Sequence, residues 1–504
     1  VWSRLGKKGG KMVRIKNGKV KFEEEISVNR EVDVLVVGGG TAGVGAAICA
    51  ARNGMNTLII EQQGCLGGLV TLGLVDFLAS YPEGVGKELL ERLQKEEGLG
   101  AHRICNPEKA KYVLEQMVLE SGAKILYWSY AIDSIVENNV IKGVVVQNKS
   151  GRQAIFAKVV VDCSGDGDVA AYAGAPFEVG GGKKYEGYNQ AVSLNFVLGN
   201  VDLKTFEPKQ FYSTILMKKM EEAVQKGELP QLVERGYLGP LERGSEIGEV
   251  YVCTAHSRKC HTTDTDDLTR IAIEQREQIQ KLVKFYRRYV VGFEDCWLSY
   301  TAPLLGVRDS RRIIGEYIFT AEDLVLARKF PDAIARDTHG FDIHNPTTQL
   351  PHIKHTHLKE PKEPAVCFPD KEGGYRAYLK PGEYYEIPYR CLVPLKVENL
   401  LVAGRCVSAT FEAQAGTRLI MTCLTMGQAA GTAAAQAIKE EVMPRKISVS
   451  LLRDKLVEQG INLKEEPPVY VQGGGPRPPI PSNAKFEVLD LEGDTISVKQ
   501  ENMD

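Results

Sequence analysis

The chain predicts an α/β fold, and three stretches carry the prediction. Residues 32–61 read as strand, helix, strand; residues 125–163 read as an antiparallel meander closed by an apolar run; residues 399–404 read as another buried strand, followed by an alanine-rich helix. A βαβ unit needs a parallel sheet and a crossover helix, so the core expected is a doubly covered sheet rather than a sandwich or a bundle.

In chain order, the first twenty-two residues hold eight Lys or Arg and no acid, and no apolar signal-type segment follows them. Such an arm can bind RNA; a disordered or appended end is the plainer reading, with Met12 available as a natural start. Residues 13–26 alternate around Asn17-Gly18, which favours a hairpin turn. Val32 to Val37 is β-branched and of strand length, and it runs into Gly38-Gly39-Gly40-Thr41-Ala42-Gly43. Ala46, Ala47, Ile48, Ala50 and Ala51 then make a small-residue helix that Asn53-Gly54 stops, and residues 56–60 return as a strand ending at Glu61. Gly38, Gly40 and Gly43 stand in GxGxxG register with an acid at the end of the second strand, the pattern of a dinucleotide site. In it the pyrophosphate meets the helix N-terminus, and Glu61 accepts hydrogen bonds from ribose hydroxyls. Gly67-Gly68, just beyond, lets a planar group lie against the backbone.

Residues 86–95 and 107–120 have helical spacing. Strands are expected at 125–128, 131–136, 141–148 and 152–157, then a further one at 158–163 leading to Ser164-Gly165-Asp166-Gly167-Asp168. A βαβ unit followed by a meander and another central strand points to a flavin-type fold rather than a plain nicotinamide dehydrogenase. From Pro176 to about Val393 the character changes to long polar helices such as 267–289, proline-rich segments and short strands, as expected of a separate cap or substrate region. Residues 399–404 then form a buried strand, a polar loop leads to Gly416-Thr417-Arg418, and a helix runs to about Lys439. A last helix is expected at 449–458, and a late hairpin around Glu492-Gly493-Asp494.

These pieces together resemble the FAD-dependent oxidoreductases of the glutathione-reductase-like fold, relatives of the fumarate reductase and succinate dehydrogenase flavoproteins. The likeness spans about residues 30–460 and rests on Val37 to Gly43, Leu66-Gly67-Gly68 with Thr71, Asp162 to Asp168, Leu305 to Arg312, Asp342-Ile343-His344, Leu401 to Arg405, and Gly416 through Gly427 to Gly431. It implies an FAD-binding Rossmann-type domain with an inserted α+β cap. The division would be 1–29 for the arm and hairpin, 30–175 and 394–440 for the two parts of the FAD-binding domain, 176–393 for the cap, and 441–504 for a C-terminal helix and tail. The residues it implies around FAD are Gly38, Gly40, Thr41, Ala42, Gly43, Glu61, Gln62, Gly67, Gly68, Thr71, Ala131, Gly165, Gly404, Arg405, Gly416, Arg418 and Leu419. Gly404-Arg405 would lie near the ribityl and phosphate end, and the helix starting near Thr417 would point its N-terminus at the flavin C2 carbonyl, where reduced flavin carries negative charge. Two family features are missing: a CxxxxC pair after the acid, since Cys65 stands alone, and the His-Thr signature of covalent flavin attachment.

For the chemistry, His344 is the leading proton donor or acceptor, with Asp342 two residues earlier to orient it in an extended segment, although the pair could equally pin the loop. Arg308, Arg311 and Arg312 are candidates for a carboxylate clamp or for ion pairs with Asp309 and Glu316; Arg308 and Arg405 join His344 as expected catalytic groups. Cys65 could approach the flavin, but core packing is its commoner role. His352, His355 and His357 with Cys367, and His256, Cys260 and His261, match no tetrahedral metal pattern, so no metal is expected. The function expected is hydride transfer between flavin N5 and a small organic substrate, a carboxylate among the candidates. Thiol-disulfide exchange and a flavin-bearing RNA-modification or RNA-binding protein are the alternatives.

A formal net charge of -2 with 25% charged residues gives no global field for nucleic acid or an anionic membrane, so neither partner is expected. No apolar run reaches the roughly 20 residues a bilayer needs. Eleven scattered cysteines without a CxxC suit reduced thiols and a cytoplasmic setting. Nothing in the sequence sets an oligomeric state.

Overall fold

The computed structural model describes residues 12–16, 19–100, 103–206, 214–230, 237–240, 248–348, 353, 355–369, 374–463, 486–491 and 495–500. The basic arm up to residue 11, Asn17-Gly18, His352 and Glu492 to Asp494 lie outside them. Strands Met12–Lys16 and Lys19–Glu23 flank the expected first turn and pair antiparallel, as Phe486–Leu491 and Thr495–Gln500 do at the other end.

The fold is α/β around a seven-stranded sheet. The Val-rich run forms β1 (Ser27–Val37), which continues through Gly38-Gly39-Gly40 into α1 (Thr41–Arg52) and returns as β2 (Thr57–Ile60), parallel to β1. Asn53 caps α1 and Gly54 follows it in the left-handed region, as the Asn-Gly stop signal requires. Beyond β2 lie β3 (Lys124–Leu126), β4 (Tyr130–Glu137), β5 (Val140–Asn148) and β6 (Gly151–Asp162); the strand order is β3-β2-β1-β6-β5-β4, and β11 (Leu400–Val402), introduced late in the chain, pairs parallel with the end of β6. Alternate residues of β1 enter different cores: Val34 and Val36 pack beneath the helices on one face, Leu35 and Val37 join the meander residues Ile141, Val144 and Val146 on the other. Burial on both faces explains why β1 ends in the unbroken apolar run Val34 to Val37.

Two expectations need correction here. Residues 152–157 and 158–163 are not two strands: β6 is continuous, antiparallel to β5 along its first half and parallel to β1 along its whole length. No Gly, Pro or Asn separates Ala157 from Lys158, so nothing turns the chain there. The alanine-rich helix does not start near Thr417. Residues 411–417 form a short helix, α3 (Phe411–Thr417), capped by Thr410; Arg418 and Leu419 break it, and α4 (Ile420–Lys439) begins beyond them. The intervening region holds β7 (Phe196–Gly199), β8 (Tyr237–Pro240), β9 (Val250–Cys253), α2 (Thr265–Tyr289) and β10 (Trp297–Thr301).

That region has its own core. An antiparallel sheet of order β8-β9-β7-β10 places Phe196, Leu198, Val250 and Val252 against Ile279, Leu282, Phe285 and Tyr286 of α2. Asp264 caps α2 by accepting from the Asp267 N–H, and Arg287 and Arg288 occupy its last turn, so both ends agree with the helix dipole. Among the described residues no helix is long and apolar enough to cross a membrane.

Candidate functional site

The glycine turn after β1 separates what the fold needs from what it leaves open. A Cβ on Gly38 would run into the Cys163 carbonyl, and one on Gly43 into the Gly38 carbonyl, so packing alone demands both glycines. Gly40 is different. Its backbone is extended, with φ -64° and ψ 178°, and a Cβ there would meet nothing within 4 Å. No side chain caps α1, so the N–H groups around Thr41, Ala42 and Gly43 face this open space with the positive end of the helix dipole. Gly68 packs against the Gly40 Cα, and the Gly67 N–H donates to the Gly39 carbonyl at 2.8 Å, which closes one wall. Thr71, buried, donates its hydroxyl to the Leu66 carbonyl at 2.7 Å and so shapes that wall from beneath. The result is an anion cradle that a side chain at position 40 would fill.

Glu61 lies buried beside it. Its carboxylate accepts from the Gly39 N–H at 2.6 Å and the Gln63 N–H at 2.8 Å, which stitches the glycine turn to the end of β2. Burial pushes its pKa up, and these backbone donors pull against that shift. A carboxylate has lone pairs beyond two acceptor bonds, so it can also receive ribose hydroxyls. Gln62 is exposed alongside, and Ala131 lies in β4, which follows the Ser129 N–H bond to the Glu61 carbonyl.

On the far side of the cradle, Gly404 lies against Ala42, and Gly165 lies under the Arg405 guanidinium. Arg405 pairs with Asp166 at 2.9 Å and donates to the Ser310 hydroxyl at 3.0 Å. The Tyr385 hydroxyl donates to the Gly416 carbonyl at 3.0 Å, and Leu419 begins α4 with no side-chain cap. Helix α4 reaches α1 at backbone distance: a Cβ on Gly427 or Gly431 would strike the carbonyls of Ala42 or Ala46.

A second cluster lies where three distant segments meet. His256 and His344 stack with ring centroids 5.4 Å apart and planes 16° from parallel. Arg308 donates through Nη1 to the Ala191 carbonyl at 2.7 Å, and its Nη2 lies 3.2 Å from His256 Nε2. His344 Nε2 lies 3.7 Å from Asp342 Oδ2, and Arg418 donates to the Asp342 carbonyl at 2.7 Å with its Oδ2 at 3.4 Å. Burial brings the Arg418 guanidinium down to about 10, with Asp342 opposing that shift and Arg308 adding to it. Arg418, expected beside FAD, is thus engaged with the histidine cluster. Among the described residues no carboxylate lies in ion-pairing range of Arg308.

The three neighbouring arginines separate. Arg311 pairs with Asp168 at 2.7 Å, and Arg312, 2% exposed, lies between Asp309 and Glu178, so both hold the fold while Arg308 alone enters the cluster. Cys65 is half-buried with its pKa raised chiefly by burial, the opposite of an activated thiolate, and none of the eleven cysteines is in a disulfide. His355 meets His357 and Tyr378 as rings, and no metal-holding group of His, Cys, Asp or Glu exists among the described residues. Sequence reasoning missed His256 as a site residue; between Ala255 and Ser257 no local pattern marks it.

Residues 33–456 match the family model described as FAD dependent oxidoreductase. Among curated proteins, the thiamine thiazole synthase of Sulfolobus acidocaldarius is 31% identical over 185 residues, covering 31% of this chain and 69% of that protein. The thiamine thiazole synthase of Methanococcus vannielii is 31% identical over 147 residues, and the chain spans only 56% of its length and matches it over 27% of its own. Among solved structures, a geranylgeranyl bacteriochlorophyll reductase-like protein from Thermoplasma acidophilum aligns over 86% of this chain and 84% of that chain, at 15% identity and TM-score 0.41.

Proposed function

Because the chain belongs to the FAD-dependent oxidoreductase family and has FAD as its cofactor, we propose that it transfers a hydride between flavin N5 and a small carboxylate-bearing substrate held at the stacked histidines. The observation that carries this reading is the guanidinium of Arg308: it reaches the stacked histidines at His256, it lies near enough to Arg418 to oppose that residue's charge, and among the described residues no carboxylate pairs with it. Such a guanidinium suits an anion, and its fork matches carboxylate oxygens.

The open cradle at Gly40 suits the FAD pyrophosphate, Glu61 and Gln62 the adenosine ribose, Gly165, Gly404 and Arg405 the ribityl end, and the start of α4 at Leu419 the flavin C2 carbonyl. In this reading the fold is of the glutathione-reductase-like kind, and the core around β7 to β10 and α2 is the cap. The domain limits are those expected from the sequence, 30–175 with 394–440 for FAD and 176–393 for the cap.

Bound FAD supplies the acceptor or donor of the hydride at N5. The protein's part is to hold the substrate and to move a proton. Arginine is a donor only, so His256 Nε2 accepts from Arg308 and His256 stays neutral while that contact lasts. A second positive ring stacked on His344 would be repelled, and Asp342 Oδ2, 3.7 Å from His344 Nε2, faces the nitrogen that would carry a proton. Of the two rings, His344 is therefore the one suited to hold and deliver the proton, and His256 the one that aims Arg308. The thiazole synthase matches cover less than a third of this chain, and their activity is not carried over to it.

Anaerobic mixing of the yellow protein with a panel of carboxylates, polyols and thiols tests this. A hydroxy or amino carboxylate should bleach the flavin, or an unsaturated carboxylate should reoxidise the dithionite-reduced protein. His344→Gln should keep the flavin spectrum and lose roughly 10²–10⁴-fold in rate, as for loss of a general acid or base. Reaction with thiols alone, or a near-native rate in His344→Gln, overturns the proposal.

A further inference from the structure

The residues that bring the second cluster together are separated by long stretches of chain, and a pair of buried amides joins them. Gln190 and Gln414 are both fully buried. The His344 N–H donates to Gln190 Oε1 at 3.1 Å, Gln190 Nε2 donates to Gln414 Oε1 at 3.3 Å, and Gln414 Nε2 donates to the carbonyls of Arg308 at 3.0 Å and Arg405 at 3.1 Å. The polarity of this chain is fixed at both ends. Reversing Gln414 would set its oxygen against two carbonyl oxygens, and reversing Gln190 would set its amide hydrogens against the His344 N–H.

The short strip on either side of Gln190 repeats the same connection. The Gln190 N–H donates to Asp309 Oδ1 at 2.5 Å and Asn189 Nδ2 to Asp309 Oδ2 at 2.8 Å, while the Ala191 N–H reaches the His344 carbonyl at 3.3 Å and the Ala191 carbonyl receives Arg308. Gln190 therefore touches the His344 segment through its side chain and its neighbour's backbone, and the Arg308 segment through both Asp309 and Ala191. A fold in need of a filler at this point would be served by leucine or methionine. Two buried amides with every hydrogen bond directed at a segment that bears a site residue are costly to leave unpaired, and so they specify register.

We propose that Gln190 and Gln414 are positioning residues: their directed hydrogen-bond chain sets the spacing of His344 against Arg308 and Arg405. This rests on the proposed role of the histidine cluster. Gln190→Met and Gln414→Met keep the shape and remove the bonds. In variants that retain FAD, kcat should fall about 10–100-fold with a smaller change in KM, the scale of a misplacement near 1 Å. The double variant should be no worse than the poorer single one, because a chain broken once is already broken. Gln190→Glu, which still accepts from the His344 N–H, should recover part of the loss.

A second readout does not depend on the substrate being right. With histidine-selective carbon-13 labelling, and the His344 ring signal identified by its loss in His344→Gln, the pH midpoint of that signal should move in Gln190→Met and in Gln414→Met. A merely structural pair would lower the melting temperature and leave that midpoint in place. An unmoved midpoint in a folded, FAD-bearing Gln190→Met overturns the positioning role. A moved midpoint without turnover of any carboxylate upholds it and overturns the substrate assignment instead. If Gln190→Met sheds its FAD, Gln414→Met is measured in its place, and an unmoved midpoint there overturns the proposal.

Discussion

Gly40 is a glycine that the protein's own packing does not require. Its φ and ψ are open to any residue and its Cβ direction is empty, whereas its partners Gly38 and Gly43 are boxed in by carbonyls. That contrast gives a clean experiment. Gly40→Val should fold with a native circular dichroism spectrum and melt close to the FAD-free wild type, yet purify colourless, because the new side chain occupies the phosphate cradle. Acid release of FAD from the purified variant at the wild-type amount would show that the pyrophosphate lies elsewhere. Gly38 and Gly40 look alike in a sequence motif; only the surroundings of each tell the glycine that packing demands from the one it leaves open.

At the level of elements, the contact between α1 and α4 brings the two helices to backbone distance. Gly45, Gly427 and Gly431 remove the side chains that would otherwise hold the two helices apart, and Ala42 and Ala46 oppose them. Replacing an exposed helical glycine by alanine ordinarily stabilises by about 1 kcal/mol. For Gly431→Ala the sign should reverse, because its Cβ would collide with a carbonyl of a rigid helix; a loss of about 1–3 kcal/mol is expected, the range for overpacking. Urea unfolding of the FAD-bound protein measures it, and a raised midpoint would mean that the helices separate freely. The small-residue pattern of both helices was visible in the sequence. The break at Arg418-Leu419 was not, since nothing in Gly-Thr-Arg-Leu marks a helix end as Pro or Asn-Gly would.

For the whole molecule, the segment from Leu72 to Ala79 joins the two main cores: Leu74 belongs to the core around β7 and α2, Leu78 to the one beneath β1, and the Leu72 carbonyl receives the Leu304 N–H. Asp76 lies in it, 2% exposed, and burial pushes its carboxyl up to about 8 from an unperturbed 3.8. Between those two values the folded state keeps a proton that the unfolded chain releases, so its contribution to stability falls as pH rises from about 4 to about 8. Burial raises Glu83 to about 7 and Asp168 to about 6, with the same sign. Asp76→Asn should therefore raise the melting temperature little at about pH 4 and most at about pH 8.5. A gain that is the same at both, or larger in acid, would mean that Asp76 is charged in the folded protein.

The sequence by itself determined the parallel sheet, the glycine turn with its acid, the FAD-type order of elements and the approach of His344 to Asp342, because each of these is written within a few tens of residues as period, turn chemistry or i, i+2 spacing. Only the tertiary structure decided that β6 is one strand serving three pairings, that Arg308 alone of three neighbouring arginines enters the cluster, that Arg418 turns to Asp342, and that His256, Gln190 and Gln414 meet the same cluster. Those facts depend on which surfaces meet after the two cores form. A histidine or a glutamine carries no local signal of the partner that folding brings to it, since the hydrogen bond that defines its role is made to a residue more than fifty positions away.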